Sequence, residues 1–366
     1  MAIYCINLTV ILLCFALTHS QCGNIVFNKK RMYIICVGVL VLWVMLRDYS
    51  IGADTISYLR LKKYIVDDID DLKNLFTDWK INDYWKYEKG FSAFCYFFFR
   101  YISDSDSMFI IVTALIGLLP VFILIYNKSE HIFLSLFMFV VMGMYSYSFN
   151  VIRQFMAIGL TSTSYMILKN NESRASKKII GTAFFLAAVS IHTSAVLFAL
   201  VFVYDIFFSK WLTPRRMLIM YGAEIAILIL VDGIVMRLVG KLNKYADFIV
   251  SGNKSIYTVI ILNCVFVYII VAASNRLFND DNELLFLLFL YLSFNTLGLF
   301  FSLIVRVGLY FLVGAVVGIP NLMLRENSKI SGLVMTIVIM FFLIQYTKSL
   351  IGDAYLVPYS INLEFF

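Results

Sequence analysis

The sequence predicts an all-α protein that crosses a membrane many times, and three observations lead to this prediction. Hydrophobic residues make up 61% of the 366 residues and charged residues only 14%, whereas soluble domains hold about 45–50% and about 25%. The mean hydropathy is +0.87. The apolar runs are long and unbroken, which excludes a transmembrane barrel because barrel strands alternate polar and apolar residues.

The apolar runs predict about twelve crossings with both termini on the outer side. The predicted spans are 3–18, 32–46, 107–126, 131–149, 151–168, 179–191, 194–208, 216–236, 256–274, 284–302, 304–322 and 330–347. No basic residue precedes the first run and no small-residue cleavage site follows it, so we expect a retained span rather than a cleaved signal peptide. The spans 179–191 and 194–208 are short and predict a bent or re-entrant pair.

Basic residues cluster in the loops that this scheme places on the inner side, as the positive-inside bias requires. The clusters are Lys29, Lys30 and Arg31; Lys169, Arg174, Lys177 and Lys178; Lys210, Arg215 and Arg216; and Arg325 with Lys329. The net charge of +7 therefore bears on topology and on anionic lipid-linked partners, and not on nucleic acid.

Residues 47–58 place ionisable groups and a glycine at the mouth of the second predicted span. They include Arg47, Gly52, Asp54 and Tyr58. Ionisable groups near hydrocarbon cost several kcal/mol each, so they usually face a cavity or a partner. The alternative is an ordinary membrane-exit turn, in which Arg47 reaches the lipid headgroups and Gly52 supplies the turn.

Further polar residues fall at the same predicted outer side, where 47–90 is the longest polar segment. They include Arg153, His192 and Arg306. Ionisable residues gathered at one face of a membrane protein indicate a functional site there. Each has a structural alternative: Arg153 as an interface anchor, and His192 as a hydrogen-bonded packing residue. For Arg306 the alternative is a salt bridge to an acidic residue of span 216–236, Glu224 or Asp232.

The segment 60–90 predicts an amphipathic helix lying on the bilayer, followed by an aromatic stretch. The apolar residues at helical spacing are Ile65, Ile69, Leu72, Leu75, Phe76 and Trp79. Trp79 and Trp85 are suited to stacking on sugar rings, or else belong to an interfacial aromatic belt. Glu88, just before an apolar helix, is either a helix-start acid or a site carboxylate.

No metal site or disulfide framework is expected. The acidic run Asp67–Asp71 contains carboxylates on one helical face, but a solvated helix face accounts for it without a metal. The six cysteines are scattered and show no CxxC or Cys/His spacing.

Four motifs in order resemble the EpsG family, the Wzy-type polymerases of bacterial surface polysaccharides. They are Arg47…Gly52-Ala53-Asp54-Thr55…Tyr58, Tyr87-Glu88-Lys89-Gly90-Phe91, Phe149-Asn150-Val151-Ile152-Arg153-Gln154 and His192-Thr193-Ser194-Ala195. The resemblance runs from about residue 30 to 210, with Arg306 in a similar late position. It implies a GT-C-like membrane glycosyltransferase in the bacterial plasma membrane, with its site facing the periplasm or outside.

The resemblance also implies a reaction: oligosaccharide repeat units carried on undecaprenyl diphosphate are joined. Arg47, Arg153 and Arg306, with Tyr58, are then expected to bind the lipid diphosphate in place of a metal, because fixed cations stabilise the departing charge. Asp54 is the first candidate for the base that accepts the proton of the attacking hydroxyl. His192 and Glu88 are the next candidates. Glycan contacts are assigned to Trp79, Trp85, Gln154 and Tyr310. No cofactor is expected.

On this reading residues 1–366 form one integral membrane domain, and 47–90 is an extracytoplasmic segment carrying part of the site. The expected partners are lipid-linked glycan donor and acceptor and membrane lipids, with a chain-length regulator as a further candidate. Three alternative functions stay open: a lipid-linked oligosaccharide flippase or transporter, another polyprenyl-phosphate-dependent transferase or ligase, and a membrane acyltransferase with His192 as base. A flippase predicts charges spread through the membrane depth and repeated halves, which the sequence does not show.

Overall fold

A computed structural model gives the structure of this chain for most of its length. The described residues are 1–19, 27–69, 72–77, 87–169, 174–239, 256–273, 279–299, 302–325, 328–353 and 355–362.

The described residues form sixteen α-helices. They are α1 Ala2–His19, α2 Lys29–Met45, α3 Thr55–Asp68, α4 Leu72–Thr77, α5 Lys89–Phe97, α6 Asp106–Lys128, α7 Ile132–Val141, α8 Met144–Asn150, α9 Ile152–Leu168, α10 Ala175–Ile191, α11 Ala199–Val203, α12 Pro214–Val239, α13 Ile256–Ala273, α14 Asn279–Leu297, α15 Ser302–Leu324 and α16 Lys329–Gly352. These described parts contain no β-strand, and one isolated antiparallel bridge joins Arg47 to Ile361.

The predicted all-α membrane class is confirmed, whereas the count of about twelve crossings stays a prediction. Among the described residues, α1, α6, α15 and α16 are long and apolar enough to cross a membrane. The consecutive helices α7 and α8 together make a fifth candidate, bent by 52°. The bend falls at Gly143, whose φ of +85° is a conformation that favours glycine.

The region around His192 differs in length from its prediction. Helix α10 begins at Ala175, four residues before the predicted span, and so reaches 17 residues. It ends at His192, whose backbone is extended (φ −150°, ψ 110°). Beyond it the chain continues as a 3₁₀ turn, Thr193–Phe198, then α11, then a π-helical turn, Tyr204–Phe208. A second π-helical turn, Phe98–Ile102, extends α5.

Contacts cluster the chain into two compact units, where the sequence predicts one membrane domain. The first unit comprises residues 1–128, 132–196 and 342–366, and the second comprises 129–131 and 197–341.

In the first unit, α9 packs between α6 and α10, and α10 also contacts α5. Small residues allow the close approach of α6 and α9: a Cβ added at Gly159 would lie 2.1 Å from the carbonyl oxygen of Ile116. The packing therefore fixes the axis of α9 against α6, and it brings the starts of α5 and α9 and the end of α10 into one unit.

The segment predicted to lie on the bilayer instead packs against protein. It forms two helices, α3 and α4, both in contact with α5. Ile65, Ile69 and Leu75 of its predicted apolar face are at most 2% exposed. The prediction that this face contacts lipid is therefore wrong for these residues, because protein covers them.

The second unit contains α11 to α15 and the first part of α16, with α14 packed along α15. Stacked rings of Phe294 and Phe311, 5.4 Å apart, join α14 to α15. The Tyr221 and Thr296 hydroxyls, 2.6 Å apart, join α12 to α14.

Candidate functional site

The carboxylate of Glu88 connects three parts of the first unit. Its Oε1 accepts hydrogen bonds from His192 Nδ1 (2.8 Å), from the Thr193 backbone N–H (3.1 Å) and from the Thr193 hydroxyl (3.0 Å). Its Oε2 forms an ion pair with Arg153 Nη1. The side chains of Glu88, Arg153 and His192 are 17%, 20% and 21% exposed. The cluster is thus largely buried but still accessible.

Helix ends place Glu88 and His192 next to each other. Glu88 is the residue before the first turn of α5, and His192 is the residue after the last turn of α10. The two helices meet at Gly90 and Ser190, where an added Cβ would lie 2.5 Å from the Ser190 carbonyl oxygen. Because only glycine fits there, Gly90 determines how closely the carboxylate approaches the imidazole.

Arg153 lies in the first turn of α9 and is surrounded by aromatic rings. Its guanidinium carbon is 4.9 Å from the Tyr87 ring centroid and 5.8 Å from that of Phe91. The Tyr58 ring packs in turn on Phe91 (5.1 Å) and on Tyr87 (5.7 Å). Rings on its faces and a carboxylate at its edge hold the guanidinium in one orientation.

Asp54 belongs to the same group of residues. It is half-buried at the start of α3. Burial first, and then the charge of Asp54, raise the pKa of the buried Tyr58 hydroxyl. Burial also raises the pKa of Tyr87, to about 12, with Arg153 opposing the shift and Asp54 adding to it. Both phenols therefore stay protonated at neutral pH.

Glu88 is ionised at neutral pH. Burial acts to raise the pKa of its carboxyl group, but the hydrogen bond from His192, the charge of Arg153 and the Thr193 backbone N–H outweigh it and lower the pKa to about 2. An ionised carboxylate only accepts hydrogen bonds, so it is a weak base and a strong orienting group for its donors.

Arg47 lies in a separate, closed environment. It is 1% exposed, its Nη1 donates to the Phe149 carbonyl oxygen (2.9 Å), and its guanidinium lies 5.5 Å from the Phe149 ring centroid. A cavity of about 10 Å³ beside it is lined by residues that include Thr113 and Ser148.

The family model described as the EpsG family matches residues 30–361. The chain belongs to the EpsG family. No curated protein and no solved structure matches it. Membership associates the chain with polysaccharide biosynthesis and a polymerase-like role.

The EpsG match extends the predicted resemblance, which ends near residue 210, to nearly the whole chain. It includes α15 and α16 and most of the segment 355–362 that follows them. That segment pairs with the Arg47 region: the Asp48 N–H donates to the Ser360 carbonyl (3.0 Å) and the Asn362 N–H to the Leu46 carbonyl (2.9 Å).

Of the expected site residues that the structure describes in this EpsG protein, five belong to one group: Glu88, His192, Arg153, Tyr58 and Asp54. Glu88, His192 and Arg153 are in direct contact, and Tyr58 packs on the rings around Arg153. Arg306 lies in the second unit as an exposed residue of α15. Gln154 and Tyr310 are buried, at 3% and 2% exposure, which gives no support to glycan contacts.

Several predicted residues fall outside what the structure describes. Trp79 and Trp85 are among them, as are the side chains of Asp67, Asp68, Asp70 and Asp71. Among the residues that are described, no group of three or more His, Cys, Asp or Glu side chains is arranged to hold a metal ion.

Sequence reasoning missed Thr193, Tyr87 and Phe91 as site residues. Thr193 donates two hydrogen bonds to Glu88, and the two rings enclose Arg153. All three stand next to or near a predicted residue within the EpsG motifs, so their place in those motifs was the available indication.

We expect Glu88 to make the stability of this EpsG protein depend on pH. Its folded pKa lies below the unfolded value of 4.5, so its stabilisation is present above pH 4.5 and is lost as the pH falls toward 2. Over this pH range the free energy of unfolding of the wild type should fall by an amount on the order of 1–3 kcal/mol. Glu88→Gln should not show this fall. Thermal unfolding in detergent from about pH 7 to pH 3 tests this. The prediction would be contradicted if the difference in unfolding temperature between the wild type and Glu88→Gln did not narrow toward acid pH.

We expect Gly90→Ala to separate Glu88 from His192. The new methyl group would clash with the Ser190 backbone, so the start of α5 must move away from α10. A displacement on the order of 1 Å costs up to about a hundredfold in rate when it misplaces catalytic groups. Turnover of lipid-linked glycan measures the effect. Gly38→Ala is the matched control, since nothing lies within 4 Å of that Cβ position; equal activity of both variants would contradict the prediction.

Proposed function

We propose that this EpsG-family protein is a polysaccharide polymerase. In this proposal it joins repeat units linked to undecaprenyl diphosphate at the outer face of the bacterial plasma membrane, with a GT-C-like arrangement of about twelve crossings. The observation that supports it best is the Glu88 carboxylate bridging His192 and Arg153. A base and a fixed cation in one accessible cluster are what glycosyl transfer from a diphosphate requires.

His192 is the preferred base in this proposal, ahead of Asp54. Because ionised Glu88 can only accept a hydrogen bond, Nδ1 of His192 must carry the proton that they share. The imidazole of a neutral histidine then has its lone pair on Nε2. The arrangement matches the general rule that a base is held in one tautomer by a carboxylate behind it.

The proposed step is a direct displacement at the anomeric carbon of the donor glycan. The acceptor hydroxyl oxygen forms the new C–O bond while its proton passes to Nε2 of His192. The bond from the anomeric carbon to the diphosphate oxygen breaks, and its electron pair leaves with the diphosphate. Charge therefore grows on the diphosphate as it departs.

Arg153 is the proposed cation for that growing charge. Its Nη1 pairs with Glu88, and the side chain, which is 20% exposed, carries further N–H donors. Donors that meet charge only as it develops lower the barrier more than they strengthen substrate binding. Arg306, exposed on α15, is retained as a second candidate. Trp79 and Trp85 stay the candidates for stacking on sugars, and a chain-length regulator stays a candidate partner.

The experiment is a deletion strain analysed on a glycan gel and complemented with the wild type or with His192→Ala. We expect the deletion to leave surface glycan capped with single repeats, the wild type to restore long chains, and the variant to fail. Loss of all surface glycan in the deletion would favour a flippase. Normal polymer with altered attachment would favour a ligase.

A further inference from the structure

Arg47 has a position that its predicted role as a diphosphate ligand does not explain. We propose that Arg47 is a positioning residue, which fixes the turn that carries Arg153, and that it contacts no substrate. This inference rests on the proposed function, because the reaction defines what is being positioned.

The contacts of Arg47 are internal. At 1% exposure, its guanidinium touches the Phe149 carbonyl oxygen and the Phe149 ring. No carboxylate within the described ranges forms an ion pair with it. Its Nε is buried without a hydrogen-bond partner. Burying a guanidinium without an ion-pair partner costs free energy of folding. Its presence here therefore indicates a role for its planar set of N–H donors.

The cavity beside Arg47 is unsuited to a phosphate. Its volume of about 10 Å³ has room for about one water molecule. Two hydroxyls line it, and both donate their hydrogens to backbone carbonyls: Thr113 to Phe109 (2.8 Å) and Ser148 to Tyr145 (2.6 Å). Both hydroxyls therefore offer only lone pairs to the cavity. A water molecule can donate a hydrogen bond to such a lone pair, and an anion cannot.

The loop that follows Arg47 also contacts the backbone turn at Phe149 and Asn150. A Cβ on Gly52 (φ +95°) would lie 2.1 Å from the Phe149 carbonyl oxygen, the atom that Arg47 also contacts. The Asn150 side chain accepts a hydrogen bond from the Ala53 N–H (3.0 Å). Residues 149 and 150 are therefore held from one side by the Arg47 guanidinium, by close contact with Gly52 and by the hydrogen bond from the Ala53 N–H.

This turn sets the start of α9. Val151 has non-helical backbone angles (φ −108°, ψ 58°) and separates α8 from α9. Arg153 follows two residues later, in the first helical turn, so the orientation of residues 149–151 directs its side chain. A loosened turn would move the guanidinium relative to Glu88 without removing any group that touches substrate.

Steady-state kinetics separates a positioning role from a binding role. The assay uses the full-length protein in liposomes, with lipid-linked repeat units extracted from the deletion strain as the probe. For Arg47→Met we expect kcat to fall about tenfold or more and KM to stay within about twofold. Arg47→Lys should recover part of kcat, and Arg100→Met, at an exposed site, should match the wild type.

A rise in KM of about tenfold with kcat retained would make Arg47 a substrate ligand and overturn the inference. Wild-type kcat in Arg47→Met would overturn it as well. If that variant does not fold, Asn150→Ala decides: lower kcat at constant KM supports the inference, and unchanged kcat overturns it. A wild-type protein that forms no polymer in this assay, with lipid-linked units intact, would count against the proposed function instead.

Discussion

Replacing His192 with glutamine should lower kcat by about two to four orders of magnitude, the usual range for a general base. Glutamine can still donate a hydrogen bond to Glu88, so the cluster keeps its shape, but it accepts no proton at neutral pH. Polymer formation in liposomes measures the effect.

Two other variants serve as comparisons for His192→Gln. Thr193→Val removes one of the two hydrogen bonds that Thr193 gives Glu88 and leaves its backbone bond, so we expect a loss below about tenfold. Asp54→Asn should be less damaging than His192→Gln. An active His192→Gln together with an inactive Asp54→Asn would transfer the role of base to Asp54.

Replacing Arg153 with methionine should lower kcat by about two to three orders of magnitude. The change removes the cation proposed to meet the departing diphosphate, and it also leaves Glu88 without its ion pair. Arg153→Lys should recover only part of the loss, because an ammonium lacks the planar fork that serves two partners at once.

The control for Arg153 is the exposed Arg100, which lies in a π-helical turn of the same unit. Arg100→Met should polymerise at the wild-type rate. Insertion and thermal unfolding of each variant should be compared with the wild type, since a folded but inactive Arg153→Met is the expected result. An Arg153→Met variant within about threefold of the wild type would contradict the assignment.

Hydrophobic runs predicted the helices well, because a membrane requires long apolar segments whose backbone groups bond internally. The prediction that the apolar face of residues 60–90 lies against lipid failed for Ile65, Ile69 and Leu75 for a specific reason. Periodicity shows that Ile65 and Ile69 share an apolar face, but protein and lipid cover such a face equally well. Only the three-dimensional packing of the chain determines whether protein or lipid covers it.

The sequence predicted three central residues of the candidate site but not the contacts between them. Glu88, His192 and Arg153 were identified by position, but nothing in their spacing showed that one carboxylate would contact both others. That contact depends on where α5 begins and α10 ends, and on a glycine small enough to let them meet. Arg47 carries the same charge as Arg153, so the sequence could not separate an internal arginine from an accessible one.

The pairing of residues 355–362 with the Arg47 region has a consequence for biogenesis. The Tyr359 hydroxyl bonds the Trp43 carbonyl oxygen across 316 positions of sequence. At ribosomal rates of about 5–20 residues per second, Tyr359 is added to the chain roughly 15–60 s after Trp43. All sixteen described helices are therefore translated before this contact can form. We expect truncation upstream of Tyr355, which removes this pairing, to leave a product that inserts but is inactive.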